Sequence, residues 1–263
     1  MIEQNSNVIK DPNIKRIVEY TENSKQVNIL DSRFYRRSEK YYPSVTSILN
    51  FFPKNGFFHS WLKDVGHNSD IIMRKAANEG TQVHNAIEDF LGGNEITWID
   101  EYGNAKYQLD VWKMILRFAD FWNQVKPELV SKEYHLFSDQ YEYAGTADLI
   151  VRINGELWLL DIKTSNSLHT SYDLQLAAYA QAWNETHTEA VTRTGIIWLK
   201  AKTHKEGKEG QMQGKGWQVK IVDEIEKNFT MFTKIQDIYK LENPNASPYT
   251  ETLPTSVKLE TGN

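Results

Sequence analysis

Asn154-Gly155 joins two runs of alternating residues, "GTADLIVRI" before it and "ELWLLDIK" after it. Asn-Gly is the strongest short signal for a two-residue type I′ turn, so residues 143–165 are expected to form a tight β-hairpin. That turn leaves no freedom in the pairing. Ile153 faces Glu156, and counting outward Asp148 faces Asp161, with Cβ atoms about 4.5–5.5 Å apart. Asp161 and Lys163 are two apart on one strand and leave the same face.

Two carboxylates held that close repel each other, and burial sharpens the repulsion. A solvated strand face would also alternate charged residues, but "LWLLDIK" is too apolar to leave in water. Something positive is expected between the two aspartates. A hard divalent cation with oxygen ligands fits, Mg²⁺ first and Mn²⁺ as a substitute. Lys163 helps neutralise the site, but one ammonium on a neighbouring pleat position is poorly placed to bridge both acids.

Around the hairpin the hydrophobic period changes twice. "DIIMRKAANEGTQVHNAIEDFL" (70–91) has helical spacing, with an interruption expected near Gly80, and a second helix is expected over 105–125. Before them, Ser44 or Thr46 is placed to cap a short apolar run. "VSKEYHLF" precedes the hairpin as a strand, "YDLQLAAYAQAW" restores a helix after it, and "RTGIIWLKA" is a further strand that "GWQVKIV" can pair with. A final amphipathic helix spans 223–241. The expected fold is one α/β domain over 1–242 with a mixed central sheet flanked by helices. Residues 1–42 form an N-terminal extension, a β-ribbon or an arm. Residues 243–263 form a loosely held tail, since they carry little apolar content.

Composition narrows function by exclusion. The chain has 263 residues and a formal net charge of −5, which argues against coating nucleic acid non-specifically but allows basic groups in one cleft. With no cysteine there is no disulfide, thiol nucleophile or Fe–S cluster. No apolar run is long enough for a membrane span. Neither a secretion signal nor a transit peptide is visible at the N-terminus, and a cytoplasmic setting is the expectation. There is no phosphate loop for a nucleotide.

"GTQVHNAIEDFL", "YAGTADLI", "LLDIKTS" and "LQLAAYA", in that order, resemble the PD-(D/E)XK nuclease superfamily in its RecB-like exonuclease branch. The likeness is to the phage exonucleases and the mitochondrial genome maintenance exonuclease. "YPSVTSIL" also resembles an N-terminal element of the phage members. The resemblance implies an αβββαβ core and a metal-dependent DNA exonuclease, acting on ends or single strands in replication, recombination or repair. It also implies that His84, Asp148, Asp161 and the carbonyl of Ile162 hold metal, that Lys163 is the catalytic lysine alongside Asp148 and Asp161, and that Gln175 and Tyr179 lie beside the site and are associated with DNA. Two other classes remain open: a structure-specific or nicking endonuclease, and a DNA-binding or assembly protein that keeps the fold without cleavage.

The remaining candidates have ordinary readings beside functional ones. His84 lies at the edge of a buried helical face, where a packed histidine is as natural as a ligand, and Glu88 one turn on can reach it or stay solvated. Glu133 could add a distant carboxylate. Arg33, Arg36 and Arg37 interleave with Phe34, Tyr35, Tyr41 and Tyr42, a mixture suited either to single-stranded nucleic acid or to a charged surface. Lys200, Lys202, Lys205, Lys208 and Lys215 either flank a DNA channel or solubilise a loop. Eight tryptophans and thirteen tyrosines leave some rings free to face a ligand.

Overall fold

The computed structural model describes residues 8–11, 16–21, 26–29, 32–38, 40–200, 204, 205, 208–212 and 216–248. In chain order the elements are β1 (Val8–Asp11), β2 (Arg16–Thr21), β3 (Gln26–Ile29), β4 (Ser32–Arg37), β5 (Lys40–Pro43), α1 (Val45–Leu49), α2 (Gly56–Val65), α3 (Ser69–Leu91) and α4 (Leu109–Val125). They continue with β6 (Glu128–Ser138), β7 (Tyr143–Ile153), β8 (Glu156–Lys163), α5 (Thr170–Thr186), β9 (Arg193–Trp198), β10 (His204–Lys205), β11 (Lys208–Met212), β12 (Gln218–Val222) and α6 (Ile225–Glu242).

The central sheet has the order β12-β9-β8-β7-β6. Its β8–β9 pair is parallel and its other pairs are antiparallel, so the mixed sheet expected from the period changes is present. A parallel neighbour needs a crossover, and α5 provides it. Helices cover both faces. On one, Leu159 and Ile150 pack with Ile48, Leu174, Trp183 and Phe232 from α1, α5 and α6. On the other, Leu160 and Leu149 pack with Val83, Ile87, Met114, Phe118 and Phe121 from α3 and α4. Adjacent hairpin residues thus feed opposite cores, as the period of two requires.

The hairpin keeps the register set by Asn154-Gly155. Ile153 pairs with Glu156 and the ladder runs outward to Leu149 opposite Leu160. Both turn residues take positive φ, 52° and 85°, as a type I′ turn demands. β1 to β5 form a separate antiparallel meander in sequence order, joined to the central sheet by a bridge between Ser44 and Ala144. Ser44 caps α1 by accepting a hydrogen bond from Ser47 N at 3.0 Å.

Three local expectations change. α3 runs unbroken through Gly80, where an added Cβ would stand 3.1 Å from Thr164 Oγ1, so the glycine serves a close approach to the end of β8 rather than a break. α2 was not expected at all; it buries no residue and leaves Phe57 86% exposed. The basic-aromatic segment is largely a buttress, with Phe34, Tyr35 and Tyr42 at 4%, 1% and 3% exposure and so unavailable to stack bases. Arg37 pairs with Asp139, and Tyr42 Oη donates to the same carboxylate at 2.6 Å.

Among the residues expected to lie loosely after α6, Ala246 packs against the core and Pro248 is buried. The expectations for Lys202, Lys215, the first seven residues and residues 249–263 lie outside the described residues. No helix among the described residues is long and apolar enough to cross a membrane.

Candidate active site

The hairpin ladder stops one pair short of the two aspartates. In its alternation, Ile153–Glu156, Val151–Trp158 and Leu149–Leu160 exchange backbone hydrogen bonds, so the N–H and C=O of Ile162 are next in line to face β7. They do not pair there. Asp148 Oδ2 accepts the Ile162 N–H instead, at 2.6 Å. β7 therefore stays with β6 while β8 stays with β9, whose ladder continues to Lys163 opposite Trp198. The expected face-to-face pair is replaced by a fork, with a carboxylate in place of a backbone acceptor.

The fork releases the Ile162 carbonyl. His84, from the middle of α3, brings Nε2 to 3.2 Å from that oxygen. Its other nitrogen, Nδ1, lies 3.7 Å from Asp148 Oδ1 and 4.0 Å from Glu133 Oε1. Glu88, the neighbour anticipated for this histidine, is exposed, and its backbone carbonyl accepts from Lys132 Nζ. Glu133, on β6, stands in the place expected of Glu88.

Asp161 is 1% exposed. Its Oδ1 accepts from Gln175 Nε2 at 3.2 Å, and Lys163 Nζ lies 2.6 Å from Oδ2. Yet Oδ2 receives no aligned hydrogen bond among the described residues. Lys163 Nζ also donates to Gln175 Oε1 at 3.3 Å and sits 4.7 Å from the centre of the Tyr172 ring. Gln175 Nε2 further donates to Tyr179 Oη at 3.0 Å. One turn of α5 thus aligns Gln175 and Tyr179 along the floor, as their i,i+4 spacing requires.

Backbone shape completes the floor. A Cβ at Gly145 would fall 2.2 Å from Tyr179 Cε1, so only glycine admits that ring. Next to it, Thr146 Oγ1 lies 2.9 Å from both Tyr35 Oη and His135 Nδ1. Gly145 and Thr146 lie within "YAGTADLI", but neither was singled out from the sequence. The glycine was the available signal, because glycine inside a strand marks a close approach.

Charge follows burial. Burial pushes the Asp161 carboxyl up to about 6, against the pull of Lys163 and with a further push from Asp148. Burial likewise raises Asp148, opposed by His84 and Lys163. Burial opposes charge on His84, but Asp148, Glu133 and Asp161 outweigh it and bring the ring up to about 9. Burial also opposes charge on Lys163, and the two aspartates more than offset it, so its ammonium is held above the usual range.

These residues fit a hard divalent cation. The donors are carboxylate oxygens, a released carbonyl and one imidazole. One buried carboxylate oxygen lacks a hydrogen bond, and ligand atoms of His84, Glu133 and Asp148 lie within 4.8 Å of one another. His84, Asp148, Asp161, Ile162, Lys163, Gln175 and Tyr179 are all brought together here. Of the basic candidates, Arg37 is held by Asp139 and Lys200 faces Glu79 at 3.8 Å.

The central mixed sheet forks at two acids, with a lysine two residues beyond the second. The family model of the PD-(D/E)XK nuclease superfamily matches residues 56–250, well over half the chain, and the protein belongs to that superfamily. Its members generally use divalent metal ions. No curated protein sequence matches the chain. Among solved structures it is similar to a Eubacterium rectale protein provisionally named an exonuclease, at 14% identity and a TM-score of 0.41, over 70% of this chain and 77% of that one. At that level of likeness nothing about activity carries over.

Proposed function

We propose that the protein is a metal-dependent deoxyribonuclease of the RecB-like branch, acting as an exonuclease on DNA ends or single strands. The observation that carries the hydrolytic reading is the fork itself. Asp148 and Asp161 converge beside a released Ile162 carbonyl, with Lys163 held between Asp161 and Gln175. Superfamily membership supplies the reaction class. The exonuclease part rests on the four ordered motifs and their likeness to phage exonucleases.

His84, Asp148, Asp161 and the Ile162 carbonyl would hold the ion. A divalent ion held by these residues would supply polarisation of a phosphoryl oxygen and a lowered pKa for a coordinated water. Lys163 stays protonated, since the adjacent aspartates raise it, so it serves as a cation and hydrogen-bond donor to the negative charge developing on the phosphate. Gln175 fixes both partners of this pair, accepting from the ammonium and donating to Asp161. Tyr179 in turn accepts from Gln175, which sets the orientation of the amide.

Labelled linear and circular single-stranded DNA, incubated with Mg²⁺, Mn²⁺ or EDTA, tests the reading. Metal-dependent loss of linear strands alone is expected. Cleavage of circles replaces exonuclease by endonuclease, and tight binding without cleavage of either replaces both by a non-catalytic DNA-binding role.

A further inference from the structure

β6 carries a residue in a conformation that its strand does not require. Lys132 pairs with Leu149 and Tyr134 with Ala147, so Glu133 faces Asp148, but Glu133 drops out of the ladder and takes φ +45°. A non-glycine residue there costs about 1–3 kcal/mol, and such strain persists where the surroundings impose it. Its carboxylate has no Lys or Arg ion-pair partner among the described residues; its polar neighbour is His84 Nδ1 at 4.0 Å. Asp148 Oδ1 lies 3.7 Å from the same nitrogen. Three ligand atoms within 4.8 Å of one another stand somewhat wider than ligands around one ion, about 3–4 Å apart at 2.0–2.1 Å, so small side-chain shifts would close them on it.

We propose that Glu133 is itself a ligand of the divalent cation, extending the set from Asp148 across to β6. This rests on the metal-site reading above and adds to it a carboxylate from the outer strand. Glu133 then has two assignments to separate. As a ligand it binds the ion whatever residue 84 is. As a positioning residue it acts only by holding His84 Nδ1–H, the usual job of a carboxylate behind a metal-bound histidine.

The test is Mn²⁺ titration of the full chain by calorimetry, with melting curves in EDTA for each variant. Glu133→Gln is expected to weaken Mn²⁺ binding about ten- to a hundredfold and to do so again in the His84→Gln background. Glu133→Gly is expected to lose the same affinity while melting no earlier than wild type without metal, because glycine accepts the positive φ. If Glu133→Gln binds Mn²⁺ as wild type does, or its loss disappears in the His84→Gln background, Glu133 is not a ligand and the metal reading survives. If wild type takes up no Mn²⁺, the metal reading and this inference fall together.

Discussion

Asp148 Oδ2 accepts the backbone N–H of Ile162 at 2.6 Å, and this one bond separates a closed hairpin from an open site. The donor it takes is the next donor of the β7–β8 ladder, and the carbonyl it releases is the one beside His84. Asparagine can still accept that N–H, whereas alanine cannot. Asp148→Asn is therefore expected to keep the fork and the melting temperature within a few degrees while losing metal-dependent cleavage. Asp148→Ala should lose cleavage and also alter protection of the Ile162 amide. Amide hydrogen exchange at Ile162 separates the two variants.

Metal uptake has a definite pH sign. His84, raised to about 9, and Asp161, raised to about 6, must shed protons before they can act as ligands. Mn²⁺ affinity is expected to rise between pH 5.5 and 9 and binding to release protons, which titration in buffers of different ionisation enthalpy detects. In the metal-free protein both groups bind protons more tightly folded than unfolded. Their contribution to stability is fully present below the unfolded value and lost through the folded one, from about 4 to 6 for Asp161 and from about 6.5 to 9 for His84. Melting in EDTA should therefore show these contributions falling as pH rises, and Mg²⁺ should stabilise more at pH 8 than at pH 5.

Gly145 and Tyr179 are a steric pair. Gly145→Ala places a methyl group where Tyr179 Cε1 stands, so overpacking of about 1–3 kcal/mol and reduced cleavage are expected. Tyr179→Ala opens the space. The double variant should be less destabilised than the sum of the two single ones, a coupling read from denaturant melts.

Much of this was legible in the sequence because the turn is rigid. Asn154-Gly155 set the register of the hairpin, and the register brought Asp148 and Asp161 to the same end of it. The fork was not legible, since it arises when a side chain outcompetes a backbone acceptor, a choice made in three dimensions. Likewise the positive φ of Glu133 is not written in the alternation, which alone made that carboxylate look distant. α2 was hidden behind Pro53 and Gly56, although Asn55, whose side chain accepts from Phe58 N at 3.0 Å, was a usable cap signal. Tyr35 and Tyr42 looked like nucleic-acid contacts because a basic-aromatic pattern does not say which rings the core will claim.

Leu160 is fully buried against α3 and α4, one residue before Asp161. Leu160→Ala is expected to cost about 2–5 kcal/mol in chemical denaturation. Below the melting temperature it should lower cleavage far less than any change at Asp161, which keeps stability and chemistry apart.

The most direct measurement compares wild type with Asp161→Ala for release of acid-soluble nucleotides from linear single-stranded DNA, in Mg²⁺ and in EDTA. The forked-hairpin account predicts release with Mg²⁺ only, and a loss of roughly a thousandfold or more in the variant, as removal of several kcal/mol of transition-state stabilisation implies. Metal-dependent release that persists in Asp161→Ala would contradict it.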